Sequence, residues 1–510
     1  MRRIPSWVGG VVATLAIFFA LGSWSIASPV GSSPDDNFHL ASIWCGQGLR
    51  EGICEEGDSS AWRRVPHNLN IGLCYDAQPQ KPGTCTIGHL QADSSDMMST
   101  KSVNAKGLYP PGYYWVYSFF VGPDIGVTTI AIRLVNTLLF AALTVGAWFA
   151  VPRRVRPALG WSTAAAVVPL GMFTVASINP SSWAITALAV LFPTALGFLL
   201  STGRRRIVLA GFMLLAAAMA FSARGDAAIY AAVSLMAALV LAFRPRRSFL
   251  LAAILPAALI AAAAIAPLLS GQVGSAMGGL STAQPVASRS ELFVQNFVNL
   301  PSLIAGAFGQ TWGLGWLETI MPPLVWACAI FVAAGTVFAA LHWQGWRKAL
   351  ALAGVGSAIV AIPMYILVAS GVLVGSQVQP RYLLPLILVF IAVALAPSEA
   401  PNPARRSGAL LTPMQLIVGA VVLAVGNAVA LLFAMRRYVA PDRLFLDHAI
   451  QWWWPMGPSP MTTVVIGSAA FAVALVVLVV AYLRISARRP EPATVEGTGR
   501  QPTYEASASA

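Results

Sequence analysis

Two adjacent carboxylates and a nearby histidine open the first long polar stretch of the chain, in Ser33-Pro34-Asp35-Asp36-Asn37-Phe38-His39. A like-charged neighbour and partial desolvation both raise a carboxylate pKa. That suits a general base acting on a hydroxyl. A plainer reading stands beside it, in which Ser33 or Asp35 caps a surface helix starting near Asp36. Much further on, Gln379-Pro380-Arg381-Tyr382-Leu383-Leu384-Pro385 sets an arginine at the head of an apolar run. Arginine can pair bidentately with a phosphate, or its side chain can snorkel to lipid headgroups. Arg133 sits inside an apolar run and must face protein or water. Arg224 and Asp226 share a short turn and can simply pair with each other. In Asn179-Pro180-Ser181-Ser182, Asn179 suits a helix N-cap and Pro180 a first turn. Tyr109-Pro110-Pro111-Gly112-Tyr113-Tyr114-Trp115 fits a helix lying in a membrane interface, as an anchor more than a substrate contact. There is no Walker-type loop, HExxH helix or CxxC pair, and the five His are scattered. No His-based metal site is expected.

The elements that must hold these residues are membrane helices. Of 510 residues, 57% are hydrophobic and only 10% charged, against about 25% charged in a soluble domain. The net charge of +13 falls in short clusters between apolar runs, which argues against nucleic acid as a partner. Twelve runs are long enough to span a bilayer: 7–28, 127–150, 159–178, 182–201, 206–222, 227–243, 248–270, 322–342, 349–374, 382–397, 409–434 and 461–484. The loops test this count, because cytoplasmic loops are rich in Lys and Arg. Starting from Arg2 and Arg3 inside, every second loop is basic: Arg153, Arg154 and Arg156; Arg204 to Arg206; Arg244, Arg246 and Arg247; Arg347 and Lys348; Arg405 and Arg406; Arg484, Arg488 and Arg489. Both termini are therefore expected in the cytoplasm. Ser25-Ile26-Ala27 also resembles a signal-peptide cleavage site, but the apolar stretch before it is long for a signal core, which favours a retained helix.

The segment 29–126 is then a large first extracytoplasmic loop, with nine acidic and six basic residues between Asp35 and Lys106. Its four cysteines, Cys45, Cys54, Cys74 and Cys85, suggest two disulfides in an oxidising compartment, with three pairings open and free thiols as the alternative. Cys328 reads as a small buried side chain. Two more segments, 271–321 and 435–460, are outside, and Trp452 to Trp454 in the latter read as headgroup-level anchors. Residues 1–485 make one membrane domain, and 486–510 a disordered tail. No internal repeat is evident.

Taken in order, Pro34-Asp35-Asp36-Asn37-Phe38-His39, Tyr109-Pro110-Pro111-Gly112-Tyr113-Tyr114, Asn179-Pro180 and Arg381-Tyr382-Leu383-Leu384-Pro385 resemble one bacterial family. These are the predicted membrane proteins called domain of unknown function 2142, and the resemblance runs over roughly residues 10–485. That family is grouped with the GT-C glycosyltransferases. The resemblance implies an all-α polytopic fold of GT-C type in the bacterial plasma membrane. It implies transfer of a sugar, outside the cytoplasm, from a polyprenyl-phosphate donor in the membrane lipid to a cell-envelope glycan or protein. Asp35 or Asp36 would take the acceptor proton, and Arg381, with Arg133 or Arg224, would bind the phosphate. His39, Asn179 and Tyr382 complete the expected binding set. No cofactor is assigned, and a divalent metal stays open because some relatives of this fold employ one. Asp36 stands where the family pattern has Glu, and Pro380 where it has Gly, so which acid acts is left open. The rival readings are a flippase for a lipid-linked glycan and a non-catalytic assembly subunit. An enzyme would bring Asp35 or Asp36 and Arg381 together at one cavity; a transporter would show a path across the bilayer.

Overall fold

A computed structural model describes residues 6–487 except 70–73, 77, 92–94, 270, 272–287, 342–344, 376–377, 398–410, 444–445, 447–450 and 455–456. In chain order its helices are α1 (Ser6–Ile26), α2 (Asp36–Trp44), α3 (Ile87–Leu90), α4 (Gly112–Tyr117), α5 (Ile125–Ala150), α6 (Arg156–Val167), α7 (Leu170–Val175), α8 (Ser181–Leu199), α9 (Gly203–Ala223), α10 (Gly225–Ala242) and α11 (Arg247–Ile265). There follow α12 (Arg289–Gly306), α13 (Pro323–Ala340), α14 (Trp346–Ala369), α15 (Pro380–Leu395), α16 (Pro413–Val439) and α17 (Pro460–Ala487). Among the described residues, ten helices are long and apolar enough to cross a membrane. They are α1, α5, α8, α9, α10, α11, α13, α14, α16 and α17. The chain is a polytopic, all-α membrane protein.

Two of the twelve expected spans differ. The run 159–178 is broken into α6 and α7 at Val168, whose backbone is extended (φ −91°, ψ 132°) ahead of Pro169, the conformation favoured in a residue that precedes proline. The run 382–397 is α15, a helix of 16 residues, about 24 Å long against a hydrocarbon core of about 30 Å. It need not span lipid by itself, because nearly all of it is buried in protein.

Every residue of α8 is buried. It packs against α5, α6, α9, α10 and α15. Its Ala184, Ala187, Ala189, Ala195 and Gly197 let neighbouring backbones approach closely, the usual device where lipid supplies no hydrophobic drive between helices. The outer helices show the opposite pattern. Leu250, Leu251 and Ile254 of α11 and Val465 and Val476 of α17 are exposed, apolar surface that suits acyl chains. α1 packs along α17 and α5, and its Trp24 donates to Asn427 Oδ1 of α16 at 3.2 Å.

Between α1 and α5 lies the large polar segment. It holds the three-stranded antiparallel sheet β1 (Glu55–Glu56), β2 (Arg63–Pro66), β3 (Met97–Thr100), with Arg63 opposite Thr100. The disulfides are Cys45–Cys54 and Cys74–Cys85. Cys328 is half-buried. The aromatic run after Pro111 is amphipathic. Tyr113, Tyr114 and Tyr117 of α4 are buried inward, while Trp115 and Phe119 face out. The tryptophan triplet also packs against protein. Trp453 is buried against Tyr438, and Trp454 donates to Ile26 O at 3.0 Å, so it braces the exit of α1. Residues 271–321, read as an outside segment, include α12. Arg2, Arg3, Arg405, Arg406, Arg488, Arg489 and most of the 486–510 tail lie outside the described residues.

Candidate functional site

The turn after α1 delivers Asp35 in an unusual conformation. Its φ of 64° and ψ of 18° are left-handed, a region that costs an L-residue about 1–2 kcal/mol. It stands at the N-cap position of α2, yet its side chain caps nothing. Only its backbone carbonyl serves the helix, accepting from His39 N at 2.9 Å. The carboxylate instead turns to Arg381 at the head of α15, with Oδ2 2.7 Å from Nη2. Arg381 Nη1 donates to Pro34 O at 3.2 Å, and Asn179 Nδ2 donates to the same carbonyl at 3.1 Å. Asn179 Oδ1 accepts from Ser181 N at 2.9 Å, opening α8. One bend at Pro34 is thus clamped from α8 and α15 together.

Arg224, between α9 and α10, completes the cationic side. It is held by Asp226 at 2.9 and 3.1 Å and lies 4.0 Å over the Tyr382 ring. Burial pushes the Asp35 carboxyl up, but the guanidiniums of Arg381 and Arg224 outweigh it and hold it below its ordinary 3.8. The Asp35 side chain is 45% exposed, while Arg381 is buried. His39 Nδ1 lies 2.9 Å from Tyr114 OH, and Tyr109 meets the ring edge-on. Burial pushes the His39 ring down to about 3, so it is neutral near pH 7. Three buried nitrogens here lack a hydrogen-bond partner: Arg381 Nε, Arg224 Nη1 and His39 Nε2. Buried polar atoms are rarely left so, and these three are donors, or can be.

Asp36 is placed quite differently. It is fully buried, 3.6 Å from Arg133 Nη2, which is itself fully buried. Arg133 donates to Ser25 O, Ser28 O and Pro29 O, each at 2.9 Å, and reaches Ser32 Oγ at 3.3 Å. Burial pushes Asp36 up to about 6, against the pull of Arg133. The two adjacent carboxylates therefore point into separate surroundings. Asp36 and Arg133 tie the exit of α1 to α5, and only Asp35, whose side chain is part-exposed, pairs with Arg381.

A strained hairpin covers the site. Leu314 pairs with Thr319, and both Trp312 (φ 49°) and Leu317 (φ 71°) are left-handed. With Asp35 they are the non-glycine residues of positive φ among those described. Such residues gather at functional sites. Gly315 (φ 66°) must be glycine for a second reason, since a Cβ there would lie 2.5 Å from Tyr438 OH. Trp316 Nε1 donates to Gly31 O at 2.7 Å, pinning the hairpin to the turn that carries Asp35. Glu318 pairs with Arg437 at 3.1 Å. Between hairpin, α7 and Arg381 runs a cleft lined by Ser33, Pro34, Phe173, Asn179, Trp312 and Leu317. Its free volume is about 10 Å³, room for about one water.

Of the residues singled out in the sequence, the structure gathers Asp35, His39, Asn179, Arg224, Arg381 and Tyr382, and sets Asp36 and Arg133 apart from them. The Trp312–Thr319 hairpin and the Glu318–Arg437 pair carry no motif; their glycines at 309, 313 and 315 are the one local signal of tight turns. A divalent cation fits this site poorly, because two guanidiniums flank one carboxylate. Among the described residues no three of His, Cys, Asp or Glu converge.

Fold and site thus define a multi-pass membrane protein with a buried-arginine, exposed-carboxylate centre under a large polar loop. The family model for "Predicted membrane protein (DUF2142)" matches residues 18–390, and the chain belongs to that family. The matched range spans the site from Asp35 to Tyr382. No curated protein and no solved structure matches the chain.

Proposed function

We propose that the chain is a glycosyltransferase of GT-C type that moves a sugar from a polyprenyl-phosphate donor to a cell-envelope glycan or protein. The observation that carries this reading is the 2.7 Å contact between Asp35 and Arg381, residues 346 positions apart, with Arg224 alongside. Asp35 takes the proton of an acceptor hydroxyl. The acceptor oxygen bonds to the anomeric carbon, the bond from that carbon to the phosphate oxygen breaks, and its electron pair leaves with the lipid phosphate. Arg381 and Arg224 stabilise that charge through Nε and Nη1, donors that no protein group engages. Fixed donors aimed at developing charge are commonly the largest catalytic contribution. Asp36 has no access to an acceptor, and in this reading it and Arg133 build the turn rather than react.

The setting is the bacterial plasma membrane, with both termini cytoplasmic and the site outside. Two disulfides in the segment that carries Asp35 and His39 support that side, as does the alternation of basic loops. Passage of a glycan across the bilayer is less well supported. α7 stands between the cleft beside Arg381 and a second, larger cavity, its Phe173 lining the one and its Met172 the other.

In a strain lacking this chain, envelope lipid extracts should accumulate a polyprenyl-phosphate sugar. Complementation with the native chain should clear it, and Asp35→Asn should not. An unchanged lipid profile in the deletion strain would exclude the proposal.

A further inference from the structure

A second cavity, far larger than the cleft, plays no part in the site above. It encloses about 950 Å³, at the upper end of the roughly 300–1,000 Å³ of small-molecule sites. Its walls are the first two-thirds of α1, the second half of α5, α6, and the second half of α17. Ile17, Leu21, Phe140, Trp148, Phe471 and Leu475 make it apolar. Among the described residues its charged lining is Arg153, Arg156 and Arg484, with no carboxylate. Arg156 lies 5.5 Å over the Trp148 ring, and its buried Nε has no hydrogen-bond partner.

Charge and length together select an occupant. Three guanidiniums at the mouth of an apolar chamber suit a phosphate with hydrocarbon attached, since arginine pairs bidentately with phosphate oxygens. Along α1 the lining runs from Val8 to Leu21, about 20 Å at 1.5 Å per residue. One leaflet of a hydrocarbon core about 30 Å thick is about 15 Å deep. The chamber therefore matches the acyl chains and head of one leaflet, and is short for a long isoprenoid. It opens at the end of the bundle away from Asp35, because it takes the start of α1 and the end of α5.

We infer that this cavity holds one anionic glycerophospholipid of the leaflet opposite the Asp35–Arg381 site, its chains between α1, α5, α6 and α17 and its phosphate on Arg153, Arg156 and Arg484. The lipid packs behind α7, the wall it shares with the cleft. This inference stands apart from the proposed reaction.

The test uses the full chain in detergent, with phosphatidylglycerol, phosphatidylcholine, undecaprenyl phosphate or inorganic phosphate added. Native mass spectrometry counts bound lipid, and thermal unfolding reads the stabilisation that ligand binding gives by mass action. The expected result is one tightly held phosphatidylglycerol and a saturable rise in Tm. The triple variant Arg153→Gln, Arg156→Gln, Arg484→Gln should weaken that binding by at least about tenfold, the scale of losing one or two charge-assisted contacts. Ala474→Trp, which fills the chamber and keeps the arginines, should also lose the lipid, and serves if the triple variant fails to fold. Equal retention of phosphatidylcholine, a triple variant that binds phosphatidylglycerol as the native chain does, tighter binding of undecaprenyl phosphate that the triple variant loses, or equal stabilisation by inorganic phosphate that the triple variant loses would each overturn the inference.

Discussion

The two carboxylates differ enough for pH to tell which one acts. Asp35 is held below 3.8 by Arg381 and Arg224, whereas burial pushes Asp36 up to about 6. A general base works only when deprotonated, so rate falls as pH drops through its pKa. At a pH of about 5, a base with a pKa of about 6 is roughly one-tenth ionised, and transfer falls about tenfold from its neutral value. At the same pH, a base below 3.8 stays more than about nine-tenths ionised, and transfer hardly changes. The assay is sugar transfer in proteoliposomes equilibrated on both sides at each pH, with native chain and Asp36→Asn compared. The account predicts a flat profile down to a pH of about 5 in both. An acid limb near 6 that disappears in Asp36→Asn would refute the assignment of Asp35.

Arg133→Met should lower stability by about 3–5 kcal/mol, the usual effect of breaking a buried ion pair by removing one partner, seen as a fall in Tm in detergent. Asp36 binds its proton more tightly folded than unfolded, so stability should fall as pH rises from about 4 to about 6, and Asp36→Asn should flatten that slope in pH-dependent unfolding. Arg381→Lys should cut transfer by about 100-fold or more, because a single ammonium cannot hold Asp35, Pro34 O and a phosphate together; steady-state rates read it. Cys74→Ser with Cys85→Ser should lower stability by about 2–4 kcal/mol, with Arg437 losing the ordered carbonyls of Tyr75, Gln78 and Lys81 that it binds.

Much of this fold is legible in the sequence because lipid imposes length and charge rules on every span. The places where the reading slips are physical too. The spans at 159–178 and 382–397 look complete by hydropathy, but Pro169 breaks one and protein surrounds the other, and hydropathy records neither. The motif residues that converge were readable one by one. That Asp35 and Asp36 face opposite ways was not, since the left-handed turn at Asp35 is set by the clamp on Pro34 from Asn179 and Arg381. Nor was the hairpin from Trp312 to Thr319, whose partners Gly31, Arg437 and Tyr438 lie more than a hundred residues away.

The central claim is that Asp35 and Arg381 act as one unit. Its most direct test is a double-mutant cycle on transfer from a polyprenyl-phosphate sugar, with Asp35→Asn, Arg381→Gln and both together. The account predicts that each single change removes most of the activity and that the double variant is no worse than the poorer single one. Additive losses, or full activity in Asp35→Asn, would contradict it.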